Sequence, residues 1–393
     1  MGNILRIGVQ VERSRAHGRM LLEGIAEFAL SQYEWRMDLL DPRKMTDRET
    51  LSLYDGFIAR VMDAETAEAL RAVGRPVVDT YGRLDSCAFT TLRLDDCAIS
   101  RMAAEFYADR LFTTCAYCGF PRIRFSDARG EAFRQACEER GIKCHLYENV
   151  GGASVSDTFF REEQAGRPAD ASALRKWLKS LKRPCAIFCC NDIRAFQLMK
   201  VCEDLEMRVP KDVAVLGVDN DTILCTFTKS PLSSIDTDPF SLGRRAGELL
   251  AELMAEPGTP PQMYLHPPRR VIERASTDVF QFSIPWLSDA LVYIQRNLAK
   301  GVNASDVVRH LGYSHTAVNK AFQAELGTTV HQELMRRRLA LACKRLLETD
   351  LPAARIAIDT GFKTPQYFSQ VFSSTHGMSP DAWRRKRFAC LQE

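Results

Sequence analysis

The pattern of apolar and polar positions divides the chain into two parts of different character. Up to about residue 277, short apolar runs alternate with segments of helical periodicity. Ile4–Val11 has the composition of a buried strand, and Met20–Phe28 follows it with the spacing of a helix. Alternation of this kind predicts parallel β-sheets that helices cover on both faces. Because it continues over roughly 275 residues, more than one sheet usually needs, we expect two α/β lobes.

The other segments of this part share the same two signatures. The predicted strands are Trp35–Leu40, Gly56–Val61, Pro76–Tyr81, Thr113–Cys118, Lys143–Glu148, Pro184–Cys190, Val213–Val218, Gln262–Leu265 and Arg269–Arg274. The predicted helices include Ala64–Val73, Ala98–Arg110, Ala128–Arg140, Ala171–Leu181, Ile193–Leu205 and Phe240–Met254.

The last part of the chain is helical throughout and contains an internal repeat. A short helix, a glycine followed by an aromatic residue, and a second helix ending on phenylalanine occur twice, at Gly312 to Phe322 and at Gly361 to Phe372. Each copy predicts a helix-turn-helix unit in which the glycine has positive φ. A long helix that begins after Thr329 is predicted to join the two units. The fold class is therefore a two-lobed α/β domain followed by an all-α domain.

Composition changes from Ala275 to Pro285, where the periodic patterns stop. We place the α/β domain at residues 1–277, a linker at 278–285 and the helical domain at 286–393.

Charge separates the same two parts. The chain has a net charge of +3, but residues 285–393 carry 15 Lys and Arg against 9 Asp and Glu, so the remainder is net acidic. A basic module on a mildly acidic body predicts a polyanion as partner of the module alone, although a solvated basic surface has the same composition. The sequence has no apolar run of about 18 residues and no signal segment, and it has 13 cysteines. These features predict a cytoplasmic protein without a membrane partner, with buried thiols preferred to metal or redox chemistry at Cys115–Cys118.

Catalytic and cofactor motifs are missing from the α/β part. The turn after the first strand contains neither GxGxxG nor GxxxxGK[ST], and we find no nucleophile elbow and no set of residues at metal-ligand spacing. We therefore expect no cofactor, no metal and no enzymatic activity. Ligands of open parallel sheets bind beyond the carboxyl ends of the strands, where Arg13, Asn191 and Asp219 lie in this sequence.

The α/β part resembles the effector domain of LacI-type repressors. Pro184–Asp192, Val209–Asn220 and Leu232–Asp236, followed by Leu242–Ala246, carry the resemblance, which covers about residues 4–277. It implies a periplasmic-binding-protein-like fold whose two lobes close over a sugar or another small ligand. It also implies that Asn191, Asp219 and Arg129 contact that ligand. Arg13, Arg19 and Asp95 are further candidates, and each of them could instead be a loop cap or a surface ion pair.

The helical part resembles the AraC-type DNA-binding domain over roughly residues 286–388. The second unit carries most of the resemblance, in Ile356–Ala357, Gly361–Phe362, Tyr367–Phe368 and Gly377–Pro380, although Trp383 departs from the usual Tyr or Phe. The resemblance implies that the recognition helices present Thr316, Asn319 and Lys320 in the first unit, and Pro365, Gln366, Ser369 and Gln370 in the second.

An AraC-type domain behind a LacI-like sensor resembles sugar-responsive activators. The combination implies an activator of an operon for xylose or another small sugar, with a pentose or related effector, an operator in double-stranded DNA, RNA polymerase and a second copy of the chain as partners. Two other classes stay open: a sugar-transforming α/β enzyme and a ligand-independent architectural DNA-binding protein.

Overall fold

The computed structural model describes residues 4–32, 35–84, 88–148, 170–282 and 284–390. The chain divides into two compact units, Met1–Asp278 and Val279–Glu393. The first unit is α/β and the second is all α, which confirms the predicted fold class.

The first unit contains twelve strands in the described ranges. They are β1 Arg6–Gln10, β2 Arg36–Leu39, β3 Gly56–Ala59, β4 Val77–Asp79, β5 Thr90–Leu94, β6 Thr114–Cys118, β7 Lys143–Leu146, β8 Cys185–Cys189, β9 Val213–Val218, β10 Ser233–Asp236, β11 Met263–His266 and β12 Arg270–Ile272. The α-helices of this unit are α1 Ala16–Gln32, α2 Arg48–Leu51, α3 Ala64–Val73, α4 Asp96–Ala108, α5 Arg124–Glu138, α6 Ala171–Ser180, α7 Asp192–Asp204, α8 Thr222–Thr226 and α9 Pro239–Ala255.

Two six-stranded sheets define two lobes. The sheet of the first lobe has the order β11-β5-β4-β3-β1-β2 and is parallel throughout, and that of the second has the order β12-β10-β9-β8-β6-β7. Only β12 runs antiparallel, against β10. Separate apolar clusters lie on the two faces of the first sheet, and the helices bury them. The prediction of two parallel-sheet lobes is thus confirmed, although the predicted strands did not include β5 and β10.

Three segments of the described chain connect the lobes. They follow β5, β10 and β11, each of which ends in one lobe before the chain enters the other. Two of them are hydrogen-bonded to each other, because the Asp95 amide donates to the His266 carbonyl at 2.8 Å. A short triple connection of this kind lets two lobes close by small changes in a few backbone angles.

Helices α1 and α9 pack backbone to backbone. A Cβ atom on Gly24 would lie 2.0 Å from the carbonyl oxygen of Phe240, and one on Gly243 would lie 2.0 Å from that of Leu21. No side chain fits at either position, so glycine is required for this close approach. The contact ties residues early in the chain to residues more than two hundred positions later.

The second unit consists of seven α-helices within the described residues. They are α10 Pro285–Asn297, α11 Ala304–Leu311, α12 His315–Leu326, α13 Val330–Glu348, α14 Ala353–Asp359, α15 Pro365–His376 and α16 Pro380–Cys390. Helices α11 and α12 form the first helix-turn-helix unit, α14 and α15 form the second, and α13 joins them, as the repeat predicts.

The local signals of the repeat are confirmed in detail. Capping boxes begin α11, where Asn303 pairs with Asp306, and α13, where Thr329 pairs with Gln332. The turn glycines Gly312 and Gly361 have φ of 71° and 85°. Each unit also has its own apolar core, with Phe322 in one and Phe368 and Phe372 in the other.

Candidate functional site

A cavity of about 280 Å³ in the first unit lies at the carboxyl ends of strands from both sheets. The chain reaches it after β1, β3, β4 and β5 of the first lobe and after β8 and β9 of the second, as expected for a parallel-sheet protein. More than half of its lining residues are polar or charged, although apolar atoms contribute most of its surface. The lining consists of Val11, Glu12, Arg15, His17, Gly18, Leu21, Arg60, Thr80, Tyr81, Gly82, Arg83, Arg93, Leu94, Asp95, Asp96, Cys97, Arg124, Phe125, Ala128, Arg129, Asn191, Asp219, Leu242 and Leu265. Its volume lies near the lower end of the roughly 300–1,000 Å³ of small-molecule sites.

Asp219 sits on a strained turn directly after β9. Its φ is +101° and that of Asn220 is +51°, values that side-chain-bearing residues rarely adopt. Surrounding bonds hold the turn in place, because the Asp219 amide donates to the Ile235 carbonyl at 2.9 Å and Arg274 donates to the Asn220 side chain at 2.7 Å. The fold thus fixes the Asp219 carboxyl at the cavity at the cost of local strain.

The cavity shifts the pKa values of both Asp219 and His17. Burial raises the pKa of Asp219 to about 6, although Arg129 and Arg15 act in the opposite direction. Burial, and then the charges of Arg60 and Arg129, lower the pKa of His17 to about 4. Near neutral pH the Asp219 carboxyl is therefore mainly ionised and the His17 ring is neutral, with 3.9 Å between His17 Nδ1 and Asp219 Oδ1.

Arg129 is buried at the wall of the cavity. Its Nε donates to Asp96 Oδ1 at 2.8 Å, and its Nη1 donates to the Cys190 carbonyl at 2.5 Å. Burial opposes the charge, but the nearby carboxylates of Asp96 and Asp219 more than offset it, so the pKa of Arg129 is raised. The guanidinium is thereby fixed in one orientation, as bidentate recognition of hydroxyl or carboxylate oxygens requires.

Asn191 and Asp95 combine two roles. Asn191 Oδ1 accepts from the Arg194 amide at 2.9 Å and caps α7, while Asp95 Oδ1 accepts from the Ala98 amide at 2.8 Å and caps α4. Both residues nevertheless line the cavity. In each case the cap uses one side-chain oxygen, and the side chain still contributes to the cavity wall.

Arg13 and Arg19 differ from the other predicted residues, because the structure places neither in the cavity lining. Arg19 Nη1 donates to the Ser14 carbonyl at 2.9 Å and to the Arg13 carbonyl at 3.3 Å. The Arg19 side chain therefore supports the loop after β1 from its exposed side.

The sequence analysis did not predict several of the residues that line the cavity. Glu12 and Arg15 from the same loop and His17 from the first turn of α1 reach the cavity, and Asp96 is one position beyond the predicted Asp95. The rule that ligands bind at strand ends identifies this loop but does not decide which of its side chains point inward. Arg60 and Tyr81 follow β3 and β4, so the same rule could have found them.

The first recognition helix, α12, presents Thr316 and Lys320 as exposed side chains. Asn319, the third predicted residue, is half-buried, and its Oδ1 accepts from the Val330 amide at 3.1 Å. Asn319 therefore helps to fix the start of α13, and its amide NH₂ is the group that could face outward.

The second recognition helix, α15, begins with Pro365 behind the Thr364 cap. Gln366 and Gln370 are exposed, one turn apart on the same face, and Pro365 and Ser369 are half-buried beside them. Pro365 has no polar side chain, so any contact it makes is apolar.

Arg338 on α13 connects the two helix-turn-helix units. Its Nη2 donates to the Val302 carbonyl, just before α11, at 2.6 Å, and its guanidinium carbon lies 6.0 Å from the centre of the Phe362 ring. Glu333 on the same helix is buried and accepts hydrogen bonds from Arg336 and Arg337. These contacts indicate that the two units are held together as one body.

Two family models match the chain in separate regions. Residues 104–277 match a periplasmic binding protein-like domain, and residues 307–386 match a helix-turn-helix domain. Together with the two lobes and the duplicated helix-turn-helix, these matches define the class of protein that the chain resembles: transcription regulators of the AraC type that carry a periplasmic-binding-protein-like domain ahead of the DNA-binding domain.

Two relatives match nearly the whole chain, and a third matches a shorter stretch. The chain is 29% identical over 388 residues to the xylose operon regulatory protein of Escherichia coli (strain K12), covering 96% of each chain. It is similar to the solved structure of the xylose-binding transcription activator xylR, with a TM-score of 0.60, 27% identity and coverage of 98% of both chains. The HTH-type transcriptional activator AarP of Providencia stuartii is 31% identical over 104 residues, 26% of this chain and 77% of that protein.

Proposed function

We propose that the protein is a sugar-responsive transcription regulator that activates an operon for xylose or another small sugar. The observation that carries the proposal is the presence, in one chain, of a cavity with charged lining residues between two lobes and of duplicated recognition helices. Relatives that match nearly the whole chain are named for the xylose operon, which supports a sugar as effector.

In this proposal Asp219, Arg129, Asn191 and Asp95 bind the effector. A sugar presents several hydroxyl groups, each both donor and acceptor, so it needs carboxylates and amides to accept and a guanidinium to donate. The lining contains all three, and Phe125 offers an aromatic ring to the apolar face of a sugar. Arg13 and Arg19 lie outside the lining, so we assign them no direct contact.

Effector binding would favour the closed arrangement of the lobes. A switch from 1:99 to 99:1 requires about 5.5 kcal/mol of differential binding free energy. A few charge-assisted hydrogen bonds, at roughly 1.5–3 kcal/mol each, would supply it. In a homodimer, the closure would alter how the DNA-binding domains are presented to successive major grooves, and residues 278–285 would serve as linker.

The proposed role as an activator also implies a cellular location and further binding partners. An activator acts in the cytoplasm through RNA polymerase and binds as a dimer to an operator in double-stranded DNA. Every helix in the described ranges is too short or too polar to cross a lipid bilayer. We treat the chain as non-catalytic because the matched relatives are transcription regulators. Conversion of a sugar by the purified chain would contradict this.

The first prediction concerns DNA binding. Replacing both Lys320 and Gln366 with alanine is expected to lower specific affinity at least about thirtyfold, because each side chain reads a base edge at ~1–3 kcal/mol. Lys344→Ala removes the same charge from an exposed site on α13 and serves as control. The measurement is a gel shift of the full chain on DNA selected from a random library. Equal losses in the control and the double variant would contradict base reading by these residues.

The second prediction concerns pH. Because burial raises the pKa of Asp219 to about 6, its carboxyl is protonated below that pH and loses acceptor capacity. The affinity for D-xylose is therefore expected to fall about tenfold between pH 7 and pH 5. The His17 ring, with a pKa of about 4, stays neutral over this range and does not contribute. Titration calorimetry at pH 5, 6, 7 and 8 tests this, and a constant affinity would contradict it.

A further inference from the structure

The effector cavity carries more positive than negative charge. Among the described residues that line it, six arginines face four carboxylates. The arginines are Arg15, Arg60, Arg83, Arg93, Arg124 and Arg129, and the carboxylates are Glu12, Asp95, Asp96 and Asp219. Asp96 is already bound to Arg129. A neutral sugar would bring no negative charge to a lining in which arginines outnumber carboxylates.

Three of the arginines form a cluster around Gly82. A Cβ atom on Gly82 would lie 3.4 Å from Arg93 Cδ and 3.6 Å from Arg124 Nη1, and Arg83 is the next residue in the chain. Arg93 comes from β5 in the first lobe and Arg124 from the start of α5 in the second. The arginine cluster, Arg83, Arg93 and Arg124, therefore brings charges of the same sign together from both lobes.

The cluster lacks a carboxylate partner within the described residues. No ion pair or hydrogen bond involves Arg83, Arg93 or Arg124 in the part of the chain that the structure describes, and Arg93 Nε is buried without a hydrogen-bond partner. Arg83 and Arg124 are exposed, so this cost falls on Arg93, which is half-buried. Burying its Nε unpaired is costly, and a ligand in the cavity could supply the acceptor.

Two neighbouring features add to the positive potential. Arg124 is the first residue of the 15-residue helix α5, whose N-cap, Ile123, provides no side-chain acceptor, so the positive end of the helix dipole is not capped by a side chain. Elsewhere in the lining, burial and then the nearby charge of Arg60 lower the pKa of Arg15. Like charges thus already repel each other at this cavity.

We infer that the effector is an anionic sugar, whose carboxylate or phosphate binds the arginine cluster while its hydroxyl groups bind Asp219 and Asn191. The inference rests on the proposed function and specifies its ligand class. An anion that bridges Arg93 and Arg124 joins the two lobes, so it binds the closed arrangement better than an open one. This difference in affinity is what a ligand-driven switch requires.

Calorimetry of the full chain with sugars matched in carbon skeleton tests the inference. The probes are D-xylose, D-xylonate and D-xylose 5-phosphate, then D-glucose, D-gluconate and D-glucose 6-phosphate, with acetate and inorganic phosphate as controls for the bare anions. We expect a carboxylate or phosphate member to bind at least about tenfold more tightly than its neutral counterpart, the factor of one charge-assisted hydrogen bond. The two anionic arms distinguish a sugar acid from a sugar phosphate.

Variants identify where the anion binds. Arg93→Gln and Arg124→Gln are each expected to reduce the preference for the anionic sugar about tenfold, whereas Arg101→Gln, on the exposed face of α4 and outside the lining, leaves it unchanged. The salt dependence of the unaltered chain is a second readout, since affinity for an anionic sugar should fall as ionic strength rises.

The outcomes separate this inference from the proposed function. Binding of D-xylose or D-glucose at least as tight as that of their anionic counterparts overturns the inference and leaves the proposed function intact. Binding of no sugar of either kind overturns both. Binding of acetate or phosphate as tightly as the anionic sugars also overturns it, because hydroxyl recognition would then play no part.

Discussion

An Asp219→Ala variant is expected to lose its response to effector while it still binds DNA. The carboxyl lies at the carboxyl end of β9 on a turn whose positive φ values are maintained by bonds to β10 and Arg274. Removing an acceptor that two hydroxyl groups share would cost about two charge-assisted hydrogen bonds, so effector affinity should fall at least about a hundredfold. Operator affinity without effector should stay within about twofold of that of the unaltered chain, because Asp219 lies in the α/β part of the chain and not in the DNA-binding domain.

Asp212→Ala provides the matched control. Asp212 immediately precedes β9, at the opposite end of the strand, and pairs with Arg208 at 2.7 Å. Its loss removes a carboxylate of the same type without touching the cavity lining. Gel shifts over an effector titration measure both variants. An Asp219→Ala chain that responds at the same effector concentration as the unaltered chain would remove Asp219 from the site.

A Gly361→Ala variant is expected to disrupt the second helix-turn-helix unit. The residue has a φ of +85°, and a Cβ atom there would lie 2.0 Å from the carbonyl oxygen of Leu298 and 3.3 Å from Arg338 Nε. The obstacle is backbone, which cannot move aside as a flexible side chain would. We expect a loss of at least ~3 kcal/mol in the free energy of unfolding of the DNA-binding domain. Specific DNA affinity should fall at least about a hundredfold, because only the first unit remains to read bases.

Gly312, the equivalent glycine of the first helix-turn-helix unit, isolates the contribution of the positive φ angle to the free energy of unfolding. Gly312 has a φ of +71°, but a Cβ atom on it would meet nothing within 4 Å. Gly312→Ala should therefore cost only the ~1–2 kcal/mol of a left-handed alanine. Thermal unfolding and footprinting of both variants make the comparison. Equal destabilisation would show that the close approach to Leu298 is unimportant.

The helical repeat was the part of the fold most completely predicted from sequence. Its caps and turns depend on neighbours a few positions apart, so Asn303, Thr329 and the turn glycines could be identified directly. Strands β5 and β10 were not predicted as strands. Thr90–Leu94 mixes two threonines and an arginine with leucines, and Ser233–Asp236 contains a single apolar residue. Their place in the sheets is set by pairing with distant strands, which no local pattern reveals.

The lining of the cavity could also be predicted only in part from the sequence. Asp219, Asn191, Arg129 and Asp95 are among its lining residues. In the loop after β1, however, residues 11–15 have no regular period, so sequence alone could not decide that Arg15 points inward and Arg13 outward. The proximity of Arg93 and Arg124 could not be predicted either, because the two side chains approach Gly82 from different lobes.

The order of the strands also has a consequence for how the chain folds during synthesis. Neither sheet is complete until β11 and β12, at Met263–His266 and Arg270–Ile272, have left the ribosome. Helix α9, whose glycine packs against α1, emerges shortly before them. A nascent chain that stops before about residue 260 therefore holds two unfinished sheets with open edges, which are prone to aggregation. The sensor matures late, only shortly before the DNA-binding helices are made.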